Sequence, residues 1–255
     1  RGGAEAPEED TRDSRKVVEE LTMSFRFRLT KKALLRGLTV LVSVVLTVTL
    51  FDATLFSFHP VCMCLSYVLL MTEAVQTALS FRDVVAGDER VKGITRHMVL
   101  NLGALVCAVV GFAAIYKNKI RLGKPHFQSY HAKLGLFVFI SSILVVAGGL
   151  ISFRKIGLIQ LFPEKRHKVI KWGHRMAGIV TFFLGFVVAE LGYLTGAVTK
   201  HGLFIERLLQ YGTIGVASLV GYMAYRGMDE KDSRTAGNVY TRTGDSLSTI
   251  NVSRA

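Results

Sequence analysis

Long apolar stretches alternate with short polar ones along most of this chain. A helix needs about 20 predominantly apolar residues to cross the hydrocarbon core of a bilayer. Six stretches meet that length, and we expect each to form a helix. They cover residues 35–53, 56–80, 97–116, 130–151, 172–198 and 204–225. The pattern therefore predicts an all-α membrane protein, a bundle of six transmembrane helices.

The first two stretches form one apolar run from Leu38 to Phe81, which is too long for a single helix. Asp52 and Ala53 interrupt this run, and Pro60 follows shortly after them. Proline fits the first turn of a helix, because the N–H that it lacks would have no partner there. We therefore expect one helix to end near residue 52 and the next to begin just before Pro60.

Both ends of the chain are polar and charged. Residues 1–34 are expected to form a partly disordered cytosolic tail, and residues 227–255 a disordered cytosolic tail. Residues 35–226 then form the transmembrane domain.

The formal net charge of +13 could suggest a nucleic-acid partner. The lysines and arginines are, however, concentrated in both tails and in every second loop. Positive residues accumulate on the cytosolic side of membrane proteins. The distribution therefore predicts a multi-pass integral membrane protein with both termini in the cytosol, and it argues against nucleic-acid binding.

Four successive apolar stretches carry one histidine each, close to the N-terminal end of the stretch: His59, His97, His131 and His174. Because successive helices alternate in direction, His59 and His131 should share the outer half of the membrane, and His97 and His174 the inner half. A membrane imidazole is costly without a partner. Each pair could supply both axial ligands of one haem b, and iron held in this way exchanges electrons without activating oxygen. From the helix rise, the two irons would be about 20 Å apart.

Small residues near two of these histidines fit the same hypothesis. Gly135 and Gly178 follow His131 and His174 by four residues and so lie on the same helical faces. Glycine there would leave room for a flat porphyrin. The alternative is ordinary close packing of helices through small residues.

Several basic residues are candidates for substrate or cofactor contacts. Near the inner pair, Lys92, Arg96 and Arg175 could attract an anionic electron donor. Arg96 and Arg175, each adjacent to a histidine, could instead pair with haem propionates. On the outer side, Lys124 and His126 precede His131 and could bind an anionic or ferric acceptor.

The residues around these histidines resemble those of the cytochrome b561 family, and the resemblance extends over all six stretches. The segments that carry it are 58–61, 70–74, 96–97, 122–126, 130–131 and 173–178. The resemblance implies four central helices that hold two b-type haems, flanked by the first and last helices, often in a homodimer. It also implies electron transfer from cytosolic ascorbate to monodehydroascorbate or a ferric chelate, hence a ferric-reductase type of oxidoreductase. Residues 129–133 depart from the Ser-Leu-His-Ser-Trp stretch of the best-characterised ascorbate-using members.

Two other functions fit the same pattern. The chain could be a multi-pass transporter that uses its membrane histidines for protons or metal ions. It could also be a haem-bearing partner that passes electrons to another membrane enzyme. Haem content distinguishes the first alternative from the leading hypothesis, and direct reduction of a ferric chelate distinguishes the second.

Overall fold

The computed structural model describes residues 30–81 and 87–226. Six helices in these ranges are long and apolar enough to cross a membrane, which confirms the expected all-helical bundle. They are α1 (Thr30–Leu50), α2 (Phe58–Phe81), α3 (Asp88–Arg121), α4 (Tyr130–Ser152), α5 (Glu164–Tyr193) and α6 (Leu203–Arg226). The expected disorder of the tails concerns residues 1–29 and 227–255, which lie outside the described residues.

The break between the first two helices lies at the position that the sequence predicts. The Asp52 carboxylate accepts hydrogen bonds from the hydroxyl of Thr54 at 2.6 Å and from its backbone N–H at 3.0 Å. These bonds lower the pKa of this fully exposed carboxyl below its ordinary value. Ala53 adopts a left-handed φ of 61°, which reverses the chain. Pro60 then lies in the first turn of α2.

Two helices extend well beyond their apolar stretches. α3 has 34 residues and α5 has 30, and both begin with polar turns. Hydropathy marks the part of a helix that lies in hydrocarbon, whereas backbone hydrogen bonds can continue into the headgroup region. His97 and His174 consequently lie two to three turns inside their helices rather than near the helix ends.

One helix contains an irregular turn. Within α2, residues Cys64–Leu70 form a π-helix between the α-helical segments Phe58–Met63 and Met71–Phe81. A π-turn accommodates one extra residue in an otherwise regular helix. This segment lies in the middle of the bundle.

Two apolar clusters hold the helices together. The larger cluster joins α1 and α6 to α2 and α5, with Leu35, Val68, Phe182 and Val216 buried in it. The smaller cluster lies among α2, α3, α4 and α5, around Tyr67, Ala108 and Val138. α2–α5 thus form a four-helix core, and α1 and α6 pack on one side of it.

Candidate functional site

The four-helix core brings the membrane histidines together in two pairs. The ring centroids of His59 and His131 are 6.1 Å apart, with the ring planes at 87°. Those of His97 and His174 are 6.3 Å apart, with the planes at 82°. We call these pairs the His59 layer and the His97 layer. The structure pairs the same histidines that alternating helix direction predicts.

Each of the four imidazoles donates its Nδ1–H to a backbone carbonyl of a neighbouring helix. The bonds are His59 to Gly111 at 3.1 Å, His97 to Ala74 at 2.9 Å, His131 to Val188 at 3.0 Å and His174 to Val145 at 3.1 Å. Such a bond orients the ring and selects the tautomer whose Nε2 carries the lone pair. In each of these four rings Nε2 is therefore the nitrogen available to a ligand, and that of His97 lies 3.4 Å from Nδ2 of Asn101.

These bonds run in both directions between two pairs of helices. α2 and α3 exchange histidine-to-carbonyl bonds, and α4 and α5 do the same. Each core helix therefore carries a histidine in one layer and an acceptor carbonyl in the other. In α3, α4 and α5 the two positions are 14 residues apart, which places the layers about 21 Å apart at the rise of an α-helix.

The geometry of each pair fits a haem. An imidazole nitrogen binds a metal at about 2 Å, so two imidazoles on opposite sides of one iron have ring centroids about 6 Å apart. Both observed distances match this spacing. Within residues 30–81 and 87–226, no group of three or more His, Cys, Asp or Glu side chains could hold a bare metal ion. A metal at either pair would need further ligands, and a porphyrin supplies four.

Two glycines that the sequence analysis did not select lie directly against the histidine rings. A Cβ at Gly149 would be 2.9 Å from Cε1 of His174, and a Cβ at Gly192 would be 3.1 Å from Cε1 of His131. At 2.9 Å the ring of His174 would have to move, and at 3.1 Å the ring of His131 would have to shift by a few tenths of an ångström. Glycine at these two positions therefore leaves the space that the two imidazoles occupy.

The two glycines that the sequence analysis selected make ordinary helix contacts. A Cβ at Gly135 would be 3.5 Å from Val188, and one at Gly178 would be 3.7 Å from Val145. These valines provide the carbonyls that accept from His131 and His174. Gly135 and Gly178 thus help α4 and α5 to approach each other, and a contact with a porphyrin stays a prediction.

Charged side chains surround the His97 layer. Arg36 of α1 makes a two-point ion pair with Glu73, with distances of 2.8 and 3.1 Å to the two carboxylate oxygens. Nη2 of Arg96 lies 3.9 Å from the same carboxylate. Arg36 is the closer partner of Glu73, so this carboxylate does not balance both arginines, and 61% of the Arg96 side chain is exposed.

A basic surface groove adjoins this layer. It has a volume of about 480 Å³, and Lys92, Arg96 and Lys155 line it together with apolar residues of α3. Lys92 also pairs with Glu89 at 2.7 Å. Arg175 is exposed immediately after His174. Lys155, in the loop after α4, is a member of this groove that the sequence analysis did not select.

A cluster of aromatic rings lies on α3, α4 and the loop between them, near the other layer. The ring of His126 stacks on Tyr116 with centroids 4.3 Å apart. Phe112 stacks on Phe139 at 4.6 Å and contacts both Tyr116 and Phe127. Phe127 has a left-handed φ of 54°, a strained conformation for a bulky residue that these ring contacts hold in place.

This aromatic cluster connects a surface loop with the His59 layer. Phe112 directly follows Gly111, whose carbonyl accepts the hydrogen bond from His59. His126 is half-buried at the other end of the cluster, and Lys124 is exposed in the same loop. The two candidate acceptor residues thus lie on the loop that leads into this layer.

These features describe a multi-pass integral membrane protein with paired histidines inside its helical core. Residues 58–200 match the family model described as eukaryotic cytochrome b561, and the chain belongs to this family. The match runs from the start of α2 to just beyond α5 and includes all four paired histidines. Because the family is a haem-binding one, the chain is a membrane haem protein.

Several relatives have names that state a function. Transmembrane reductase CYB561D2 from Homo sapiens is 33% identical over 163 residues, which are 61% of this chain and 70% of the relative. The protein of the same name from Bos taurus is 34% identical over 154 residues, 58% of this chain and 66% of the relative. Transmembrane ascorbate-dependent reductase CYB561 from Ovis aries is 27% identical over 165 residues, 64% and 59% of the two chains. The aligned region thus spans about two thirds of these relatives.

Proposed function

We propose that this protein transfers electrons across a membrane through two b-type haems. His59 and His131 would hold one haem, and His97 and His174 the other. The supporting observation is the geometry of the two pairs, with centroids 6.1 and 6.3 Å apart and every Nδ1 bonded to a carbonyl. A haem supplies one-electron redox chemistry. The two histidines of each pair would both ligate the iron, which would leave no position on it for oxygen.

We infer that the electron donor is an anion, ascorbate, that reaches the His97 layer. The groove lined by Lys92, Arg96 and Lys155 supports this, because a basic groove raises the local concentration of an anion. Arg175 adds a further positive charge beside His174. The names of the relatives from Ovis aries and from Zea mays, the latter an ascorbate-specific transmembrane electron transporter, also support this donor.

The acceptor in this proposal is a ferric chelate or monodehydroascorbate at the His59 layer. Lys124 offers a positive charge there, and His126 offers an imidazole that can contact a metal complex or move a proton. The protein would then be an oxidoreductase of the ferric-reductase type. The relatives named transmembrane reductase support this class of activity.

In this proposal the His97 layer faces the cytosol, and residues 35–226 form the membrane domain between two cytosolic tails. Basic residues near this layer favour that orientation: Lys31, Lys32, Arg36, Arg154, Lys155, Lys165, Arg166 and Lys168. We also propose a homodimer in the bilayer, as the family resemblance implies.

The structure favours electron transfer over a proton or metal transporter for one reason. An apolar cluster around Tyr67, Ala108 and Val138 lies in the four-helix core, between the two histidine layers. Protons and metal ions need a continuous chain of polar groups along their path, whereas electrons can cross an apolar core. The hydroxyls of Tyr67 and Ser142 lie in this core and bond to each other. Because the histidine N–H groups bond to carbonyls, they also contribute nothing to a chain of polar groups between the layers.

The test uses the full chain purified in detergent. Haem is quantified per chain, and visible spectra are recorded after ascorbate and after dithionite. Further spectra are recorded after a ferric chelate, or separately monodehydroascorbate, is added to the reduced protein. We expect about two low-spin b haems per chain, reduced in part by ascorbate and reoxidised by the chelate. A chain without haem would contradict the proposal and favour the transporter. Reduction by dithionite alone would contradict ascorbate as donor. Failure of both the chelate and monodehydroascorbate to reoxidise the protein would favour a partner enzyme.

A further inference from the structure

The four core helices do not contribute equal lengths between the two histidine layers. In α3, α4 and α5, the histidine and the acceptor carbonyl are 14 residues apart, as in His97 and Gly111. In α2, 15 residues separate His59 from Ala74. One additional residue in a regular α-helix would rotate one of these positions by about 100°. The additional residue in α2 must therefore be accommodated between the layers.

The π-helical segment Cys64–Leu70 accommodates it. A π-turn takes up one residue more than an α-turn, so His59 and Ala74 can both keep their partners on α3. Tyr67 is the central residue of this segment, eight residues after His59 and seven before Ala74. The irregular turn thus coincides with the midpoint between the layers.

The surroundings of Tyr67 hold its ring inside the core. The residue is 8% exposed and packs in the cluster with Ala108 of α3 and Val138 of α4. A Cβ at Gly185 of α5 would be 2.7 Å from Cδ1 of Tyr67, so the ring rests on the α5 backbone. Every core helix therefore contributes to the site of this one ring.

The hydroxyl of Tyr67 is satisfied without any charged group. It lies 3.0 Å from Oγ of Ser142, which in turn donates to the carbonyl of Val138 at 2.8 Å. Since Ser142 uses its proton there, Tyr67 is the donor to Ser142. This bond fixes the ring from the α4 side and gives the buried hydroxyl of Tyr67 the partner that a buried polar group needs.

We propose that Tyr67 is the bridge for electron transfer between the two layers, and that the π-segment of α2 exists to place its ring there. This inference rests on the proposed function. One electron passes from the reduced site of the His97 layer to the oxidised site of the His59 layer. Tyr67 provides one aromatic π-system at the midpoint between the layers, packed against α3, α4 and α5. It keeps its own electrons and its proton throughout.

The experiment measures electron transfer between the layers in the full chain in vesicles. Oxidised protein is mixed rapidly with ascorbate present on one side only, and the later phase of haem reduction reports transfer to the far layer. Tyr67→Leu and Tyr67→Met remove the ring. Tyr67→Phe keeps the ring and removes the hydroxyl. Phe186→Leu is the matched control, since it removes a buried aromatic ring from the other apolar cluster. Haem content and the two midpoint potentials are measured for every variant.

We expect Tyr67→Leu and Tyr67→Met to slow the later phase by about tenfold, equivalent to about 1.4 kcal/mol in the barrier. Haem content, both potentials and the first phase should be unchanged. Tyr67→Phe and Phe186→Leu should keep the rate of the original chain.

Two haems with an unchanged later phase in Tyr67→Met would overturn the inference, as would slowing in Phe186→Leu. If both aliphatic variants lose haem while Tyr67→Phe keeps it, the ring serves haem binding and the bridge is wrong. A complete absence of haem from the original chain would instead contradict the proposed function.

Discussion

The two histidine layers have nearly the same internal geometry and very different surroundings. Their ring spacings differ by 0.2 Å, and all four imidazoles use the same kind of backbone acceptor. Around the His97 layer lie Arg36, Glu73, Arg96 and the basic groove. Around the His59 layer lies the aromatic cluster that ends at His126. The helix backbone therefore orients the imidazoles in the same way in both layers, while the side chains around the two layers differ in charge and in aromatic character.

Removing a histidine should separate the two layers most sharply. We expect His97→Ala and His59→Ala each to lower haem content from about two to about one per chain. In His97→Ala the remaining haem should no longer be reduced by ascorbate. In His59→Ala it should be reduced but no longer reoxidised by a ferric chelate. Haem quantification and visible spectra measure both outcomes.

His201→Ala, which changes an exposed loop histidine, is the control for these variants and should keep both haems. Retention of two haems by either core variant would contradict the assigned pairs. The same behaviour towards ascorbate and chelate in both variants would contradict the difference between the layers.

The next largest effect is expected from the glycines that touch the histidine rings. Gly149→Ala places a methyl group 2.9 Å from the His174 ring, so the ring must shift and the His97 layer should lose much of its haem. Gly192→Ala should weaken the His59 layer less, since its contact is 3.1 Å. The haem content of each purified variant measures this difference.

Gly173→Ala provides a matched control, because it adds the same methyl group next to His174 where nothing lies within 4 Å. Full haem retention in Gly149→Ala would show that the rings are not held as the structure describes. Haem loss in Gly173→Ala would show that the effect is not specific to ring contacts.

Removing positive charge at the His97 layer should affect the donor and not the cofactor. We expect Arg96→Ala and Arg175→Ala to slow reduction by ascorbate by about tenfold at low ionic strength, with both haems retained. The difference should diminish as salt screens the charges. Rapid-mixing rates over a range of salt concentrations measure it.

Lys200→Ala removes an exposed charge far from this layer and should leave the ascorbate rate unchanged. Loss of haem in Arg96→Ala or Arg175→Ala would instead assign these arginines to haem propionates. An unchanged rate with full haem would contradict both roles.

A smaller effect is expected at the acceptor side. His126→Ala should slow reoxidation by a ferric chelate by about threefold, or about 0.6 kcal/mol, while reduction by ascorbate is unchanged. The reason is that His126 lies at the surface end of the aromatic cluster rather than in the layer itself. Stopped-flow reoxidation measures the rate, and His201→Ala again serves as the control. A slower ascorbate step in His126→Ala would contradict the separation of the two ends.

The smallest effect concerns the turn that leads into the His59 layer. Asp52 has a pKa below its ordinary value because Thr54 donates two hydrogen bonds to the charged carboxylate. A lowered pKa in the folded state means that the carboxylate stabilises the fold above the unfolded pKa and that this contribution is lost as the pH falls through the folded pKa. Asp52→Ala should therefore lower the melting temperature slightly at pH 7.

Thermal unfolding between pH 3 and pH 7 tests this expectation. The melting temperatures of Asp52→Ala and of the original chain should become equal at the acid end of this range. A difference in melting temperature that grows towards acid pH would contradict the expected direction of the effect. Asp88→Ala, at the start of α3, is the control for a general loss of negative charge.

Much of the architecture follows from local sequence. Apolar stretches of membrane-spanning length gave the six helices, and Asp52 with Pro60 gave the first break. Histidine pairing could be predicted because alternating helix directions allow only same-side partners. The lengths of α3 and α5 could not be predicted from the sequence. The polar turns before His97 and His174 give no hydropathy signal, and they are helical because backbone hydrogen bonding continues through them.

The membrane class, the number of spans and the pairing of the histidines could all be predicted from composition, spacing and the order of the spans along the chain. The carbonyls that orient the rings, the glycines that touch them and the basic residues that share a groove became known only from the folded bundle. Every residue has a carbonyl, so no residue type marks Val145 or Val188 as an acceptor. The additional residue in α2 likewise becomes apparent only when the spacing between histidine and acceptor carbonyl is compared among the four core helices. These features depend on distances between helices, and such distances exist only after the bundle has formed.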